Sequence, residues 1–163
     1  MVIELTIIIL LWILLISIST NSLYQVYKKN KSKISFKESM DLTELPVITF
    51  MSDNTKLNFL LDTGSNDSFI NESVVKSLNC KMLNTVSEVI GIEGKKIKNN
   101  NCELQIKYKD YEFNTQFNII NLDESFNLIK QESGVQIHGI LGSLFFQKYK
   151  YVIDFESLIA YTK

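Results

Sequence analysis

Leu60-Leu61-Asp62-Thr63-Gly64-Ser65 is the stretch from which the rest of this 163-residue chain is read. Apolar residues run straight into a carboxylate, a hydroxyl and a glycine, with a second hydroxyl behind. Leu57, Phe59 and Leu61 share one face of a strand of period two. A strand that ends this way carries Asp62 to the rim of a core, partly shielded from water. Gly64 permits a tight turn that a Cβ would resist. Thr63 and Ser65 supply hydroxyls able to hold the carboxylate in place.

Working outward, the region after residue 45 reads as short apolar segments of period two. Residues 47–51 form one strand and turn at Ser52-Asp53-Asn54. Another element begins at 69–75, and 71–78 can close as a short helix capped by Asn71. Leu104, Ile106 and Tyr108 alternate with Gln105, Lys107 and Lys109, and a turn at Lys109-Asp110 leads to Tyr111 and Phe113 as a hairpin. Phe117, Ile119 and Leu122 continue the meander. Residues 123–136 show no clear period and are expected to form a surface loop. A short helix follows over 144–149 with Ser143 at its cap, then a closing hairpin of 150–155 and 158–162. The expected class is all-β with one or two short helices.

Composition bounds the function. The length suits one domain, the formal charge of −1 argues against a nucleic-acid surface, and 45% apolar content is ordinary for a globular protein. Cys80 and Cys102 could pair in an oxidising compartment; two free thiols fit better, and their spacing is not that of a metal site.

Asp62-Thr63-Gly64-Ser65 after a hydrophobic strand resembles the signature of aspartic proteases. It occurs once, so the chain resembles the half-size retroviral members (retropepsins) and not the two-lobed pepsins. Two further stretches carry the resemblance. His138-Gly139-Ile140-Leu141-Gly142-Ser143 is similar to the family's second signature, in which Ile140, Leu141 and Gly142 would run behind the catalytic loop and lock it; His138 departs from a position often acidic in relatives. Val89 to Ile97 is, by its residues alone, an ordinary hairpin with glycine turns. The resemblance implies that Gly91, Ile92, Glu93 and Gly94 form a flap over the substrate. It also implies a retropepsin-like half-barrel over residues 45–163, with Asp154 a structural strand-end residue outside the site.

The resemblance implies an aspartic endopeptidase with Asp62 as acid and base, Thr63 bracing the loop, and no cofactor or metal. Apolar side chains flanking the cut are the implied preference. One Asp-Thr-Gly per chain means one carboxylate per chain, so the implied site needs a homodimer with Asp62 of both copies on the two-fold axis. A non-catalytic dimerisation or binding module of the same fold is the competing reading.

The chain opens with an apolar run over residues 5–18, extended by 19–24 to the length of a membrane-crossing helix. No Lys or Arg precedes it, which fits an uncleaved anchor (1–24) better than a signal peptide. Lys28, Lys29, Lys31, Lys33 and Lys37 follow it, which by the positive-inside rule places the domain in the cytoplasm. Residues 25–44 are polar and lysine-rich, and are expected to be a tether with room for a helical turn.

Overall fold

The computed structural model describes residues 2–90 and 96–162. In chain order the elements are α1 (Val2–Lys31), β1 (Ile34–Ser35), α2 (Lys37–Thr43), β2 (Val47–Ser52), β3 (Thr55–Leu61), β4 (Phe69–Asn71), α3 (Glu72–Val75) and β5 (Lys81–Ile90). They continue with β6 (Lys96–Tyr108), β7 (Tyr111–Ile120), α4 (Asp123–Ser133), β8 (Gly139–Leu141), α5 (Ser143–Lys148), β9 (Tyr151–Asp154) and β10 (Ile159–Thr162).

The main sheet runs β2-β3-β8-β4-β7-β6-β5, and a further pairing of β2 with β6, at Met51 and Lys107, closes six of these strands into a barrel. The half-barrel expected from the sequence is therefore closed on itself. Alternation builds its interior. Leu57, Phe59 and Leu61 on β3, Ile48 and Phe50 on β2, Leu104 and Ile106 on β6, and Phe113 and Phe117 on β7 are all buried. Phe50, Phe113, Phe145, Tyr149 and Tyr151 meet edge-to-face or tilted at one end. The expected hairpins stand: β6 pairs antiparallel with β7 up to Tyr108 and Tyr111, and β9 with β10.

Two expectations are corrected. Residues 123–136, expected as a surface loop, contain the 11-residue helix α4. Its apolar contacts come from Leu122, Phe126 and Ile129, spaced i, i+4, i+7, which pack with Val47 and Ile137 in a second small core. Asp123 and Glu124 in its first turn, Lys130 in its last and Gly134 at φ 77° after it are ordinary helix-end chemistry.

The second correction concerns residues 25–44. The first helix continues to Lys31, and the chain after it is folded onto the domain. Ile34 pairs with Ala160 in a three-stranded sheet of order β1-β10-β9. Phe36 is 1% exposed, its amide donates to Leu158 O, and its ring meets Phe155 edge-on at 5.5 Å. Ser32 Oγ donates to Thr162 O and Tyr108 Oη to Lys33 O. Ile34 and Phe36 lie two apart on the buried side, and burying each gives about 2 kcal/mol, which outweighs the polar character of their neighbours.

Within the N-terminal helix, Thr6–Tyr24 has a mean hydropathy of 2.1 with none of it buried in the protein. It is long and apolar enough to cross a membrane. Both cysteines are free thiols, Cys80 half-buried and Cys102 buried. Burial, then the adjacent Cys80, push the Cys102 thiol up to about 12.

His138 is a structural residue. Its Nδ1 accepts from the Asn58 amide at 3.0 Å while its own amide donates to Asn58 O at 2.8 Å, tying the approach to β8 onto β3. Burial first, and the charge of Lys130 second, hold the imidazole below its ordinary value of 6.5. A lowered histidine is neutral when folded, so stability is full above about pH 6.5 and is lost as pH falls from there towards the lowered value. The carboxyls of Asp123 and Asp154 are held below 3.8 by hydrogen bonds, so their contribution is lost only below that. The melting temperature of the full chain in detergent should drop between pH 7 and 5. In His138→Asn, whose Oδ1 can replace the Nδ1 acceptor, calorimetry should show a flatter profile over that window.

Candidate active site

β3 ends by delivering Asp62 to a loop over residues 62–68. The delivery is set by β8, which pairs parallel to β3 with Leu61 opposite Leu141, both buried. The Asp62 amide continues that ladder by donating to Leu141 O at 3.0 Å. The chain then turns, with Ser65 N donating to Asp62 O. The Gly64 amide donates to Asp62 Oδ1 at 2.9 Å, so a backbone group orients the half-exposed carboxylate. The hydroxyls expected to do this have other places: Ser65 Oγ donates to Asp67 O, and Thr63 is exposed at the tip.

The back of the loop lies on residues 141–144. Ser143 N donates to Ser65 O at 2.8 Å and Leu144 N to Asn66 O at 3.0 Å. Gly142 N donates to Ser68 Oγ, and Ser143 Oγ to Thr63 O. The sequence thus brings Asp62, Thr63, Gly64, Ser65, Leu141 and Gly142 into one constellation, while Ile140 sits one residue earlier in β8, opposite Leu60. A Cβ on Gly142 would run into the Asp67 carbonyl, and one on Gly139 would meet Phe69 O at 2.5 Å. These two glycines exist for close approach of backbones and not for unusual φ.

Residues 91–94, assigned to a flap, lie outside the described residues. The strands leading into and out of them do pair, Val89 with Ile97 and Ile90 with Lys96. Asp154 caps a turn instead of joining the loop: its Oδ1 accepts from the amides of Glu156 and Ser157, both at 3.0 Å. Among the described residues no group of three or more His, Cys, Asp or Glu side chains is placed to hold a metal ion.

The sequence reading passed over Asn66, Asp67 and Ser68, whose backbone and hydroxyl form half of the brace, and over Ser143 as a clamp on Thr63. Asn71 has a role beyond the expected cap. Its Nδ2 donates to Asp123 Oδ1 and Ser73 Oγ, and its Oδ1 accepts from Leu122 N, which fixes the start of α4 to the strand after the loop. The asparagine expected only as a helix cap is a cross-link between elements.

Comparison with known proteins agrees with the loop chemistry. A family model described as aspartyl protease matches residues 48–145, more than half of the chain and the whole of the constellation above. Among solved structures, EIAV protease complexed with the inhibitor HBY-793 is similar at 20% identity and a TM-score of 0.47, covering 66% of this chain and 90% of its own. No curated protein matches by sequence.

Because the Asp67 carbonyl cannot move without breaking the brace, Gly142→Ala should lower unfolding stability by roughly 1–3 kcal/mol, the usual cost of overpacking a close-packed site. Denaturant titration of the variant against the parent chain measures it; an unchanged midpoint would mean that the loop is not pinned from behind.

Proposed function

Since the chain belongs to the aspartyl protease family, we propose that it is a membrane-anchored endopeptidase whose active form is a homodimer. The observation that carries the reading is Asp62, half-exposed on a loop that hydrogen bonds hold from behind and that Gly64 aims from within.

Peptide hydrolysis by this chemistry uses two carboxylates in different protonation states. The ionised one takes a proton from a water as it attacks the scissile carbonyl. The protonated one donates to the carbonyl oxygen and stabilises the oxyanion. At close range two carboxylates share one proton because both cannot ionise, which is the established chemistry of aspartic proteases. Each chain supplies one Asp-Thr-Gly. The second carboxylate is therefore Asp62 of another copy, across an isologous contact. In that arrangement exposed Thr63 braces the two loops against each other, Gly64, Ser65, Ile140, Leu141 and Gly142 hold each loop, and residues 91–94 close over an extended peptide that pairs as an added strand. No cofactor takes part.

The anchor residues 1–24 serve dimerisation. Two copies confined to one membrane search a thin layer in place of a volume, which raises their effective concentration. The lysines after the span support a cytoplasmic position for the domain.

Two outcomes test this. Asp62→Asn should fold like the parent, with an unchanged melting temperature, and should cleave no member of a mixed peptide library at mildly acidic pH. Wild type should cleave and should be blocked by a statine-type inhibitor. If wild type binds peptides in this assay yet never cuts them, the non-catalytic module is the correct reading. Secondly, a chain starting at residue 32 should lose most of its activity per molecule at nanomolar concentration, while the full chain in vesicles keeps it. Equal activities would remove the anchor from the mechanism.

A further inference from the structure

A cavity of about 260 Å³ opens beside the loop that carries Asp62. Asp67 and Ser68 of that loop form one wall, and Ser87 on β5, the strand running into residues 91–95, is in another. The rest is drawn mainly from Thr115 and Asn118 of β7 and Lys148 of α5. It adjoins the brace directly, since Ser68 Oγ accepts from Gly142 N and Ser68 O accepts from Asn118 N.

The chemistry of this cavity is unlike the rest of the barrel. Eight of its ten lining residues carry polar side chains, in a domain whose largest buried side chains are mostly Phe, Leu and Ile. Asp67 and Lys148 balance each other in charge. Thr115 is the decisive group. It lies on the face of β7 that also presents Phe113 and Phe117, it is 5% exposed, and its Oγ1 has no hydrogen-bond partner among the described residues. A buried hydroxyl without a partner destabilises the fold, so a side chain that completes it would be held there in preference to one that cannot.

We propose that this cavity is a substrate subsite for an uncharged polar side chain, of the Asn, Gln, Ser or Thr class, with Thr115 as the specificity-determining residue. The proposal rests on the protease reading above and departs from the apolar preference that the resemblance implies. Side chains of an extended peptide alternate in direction, so a peptide lying along the Asp62 loop would turn a side chain on one of its faces towards the cavity. Such a side chain both donates and accepts, as a threonine hydroxyl can. An aliphatic side chain of the same size would leave Thr115 Oγ1 buried and unmet, and sites built for a polar group discriminate strongly against analogues lacking it. A two-fold dimer carries two copies of the cavity. The preference should therefore appear at two positions, one on each side of the scissile bond and equally far from it.

The test uses the full chain in detergent and a position-scanned peptide library, with cleavage products read by mass spectrometry. Polar side chains should exceed Leu and Val by about tenfold in kcat/KM at the two matched positions. Thr115→Val keeps the shape of the side chain and removes the hydroxyl. It should shrink that ratio several-fold, without lowering the melting temperature, and Thr115→Ser should restore it. A structural role alone would change all rates together and leave the ratio fixed. Cleavage with apolar preference at every position, or a ratio untouched by Thr115→Val, overturns the subsite and leaves the protease standing. Capture of library peptides by Asp62→Asn, scored for the same polar enrichment, decides the matter if turnover is too slow to read. Absence of both cleavage and capture overturns the protease reading and the subsite with it.

Discussion

The structure depends on two stretches of backbone lying against each other with no side chain between them. Residues 62–68 rest on residues 141–144 through amide-to-carbonyl bonds at 2.8–3.0 Å, and Gly142 leaves no Cβ to separate them. The rest of the barrel arranges this contact. β8 has only three residues, yet it is parallel to β3 and antiparallel to β4, so it sits between the strand entering the loop and the strand leaving it. Gly139 at its start allows the same intimacy with Phe59 and Phe69 O. A carboxylate on a free loop would sample many orientations. Here the loop has one backbone path, and the Gly64 amide selects the orientation of Asp62 within it.

How much of this could be read beforehand follows from where the information lies. The loop around Asp62 and Gly64 could be placed because an apolar strand runs straight into it, and Gly142 because the stretch around it resembles the second signature of aspartic proteases. The strands of the hairpins were legible because one face is apolar and the other wet. α4 was not, because Phe126 is its only buried residue and exposed Leu128 interrupts the stripe. The docking of residues 32–36 was hidden for a related reason. Two apolar residues among lysines look like a linker until β10 offers a partner from the far end of the chain, and that pairing has no local signal. The brace by Asn66 and Asp67 was invisible because it uses their carbonyls, which every residue has.

The docked segment alters how the apolar helix and the domain are joined. Ser32 is already tied to Thr162, one residue after the first helix ends, so little free chain separates the two. A long flexible tether dilutes the gain from confinement, because effective concentration falls as the linker lengthens. If the proposed anchor spans a bilayer, the helical residues 25–31 and so short a connection would hold two such domains close to one height above it. That would favour the proposed dimer, whose site would lie on its two-fold axis.

Unpartnered polar atoms need a discriminating reading, since this barrel holds several. Tyr151 Oη is one, and its ring sits in the aromatic cluster against Phe113 and Phe145. There burial simply pushes its hydroxyl far above the usual tyrosine range, and the ring supplies packing that outweighs the lost bond. Asn101 is another, but its amide nitrogen already donates to Thr85 and Ser87, so its side chain is held in place between β5 and β6. Thr115 differs from both. Its side chain is small, so the packing it contributes is close to what valine would give, and its hydroxyl makes no bond within the described residues. Its place in a strand suits a β-branched residue, but no bond among the described residues uses the hydroxyl. A ligand in the cavity it faces would.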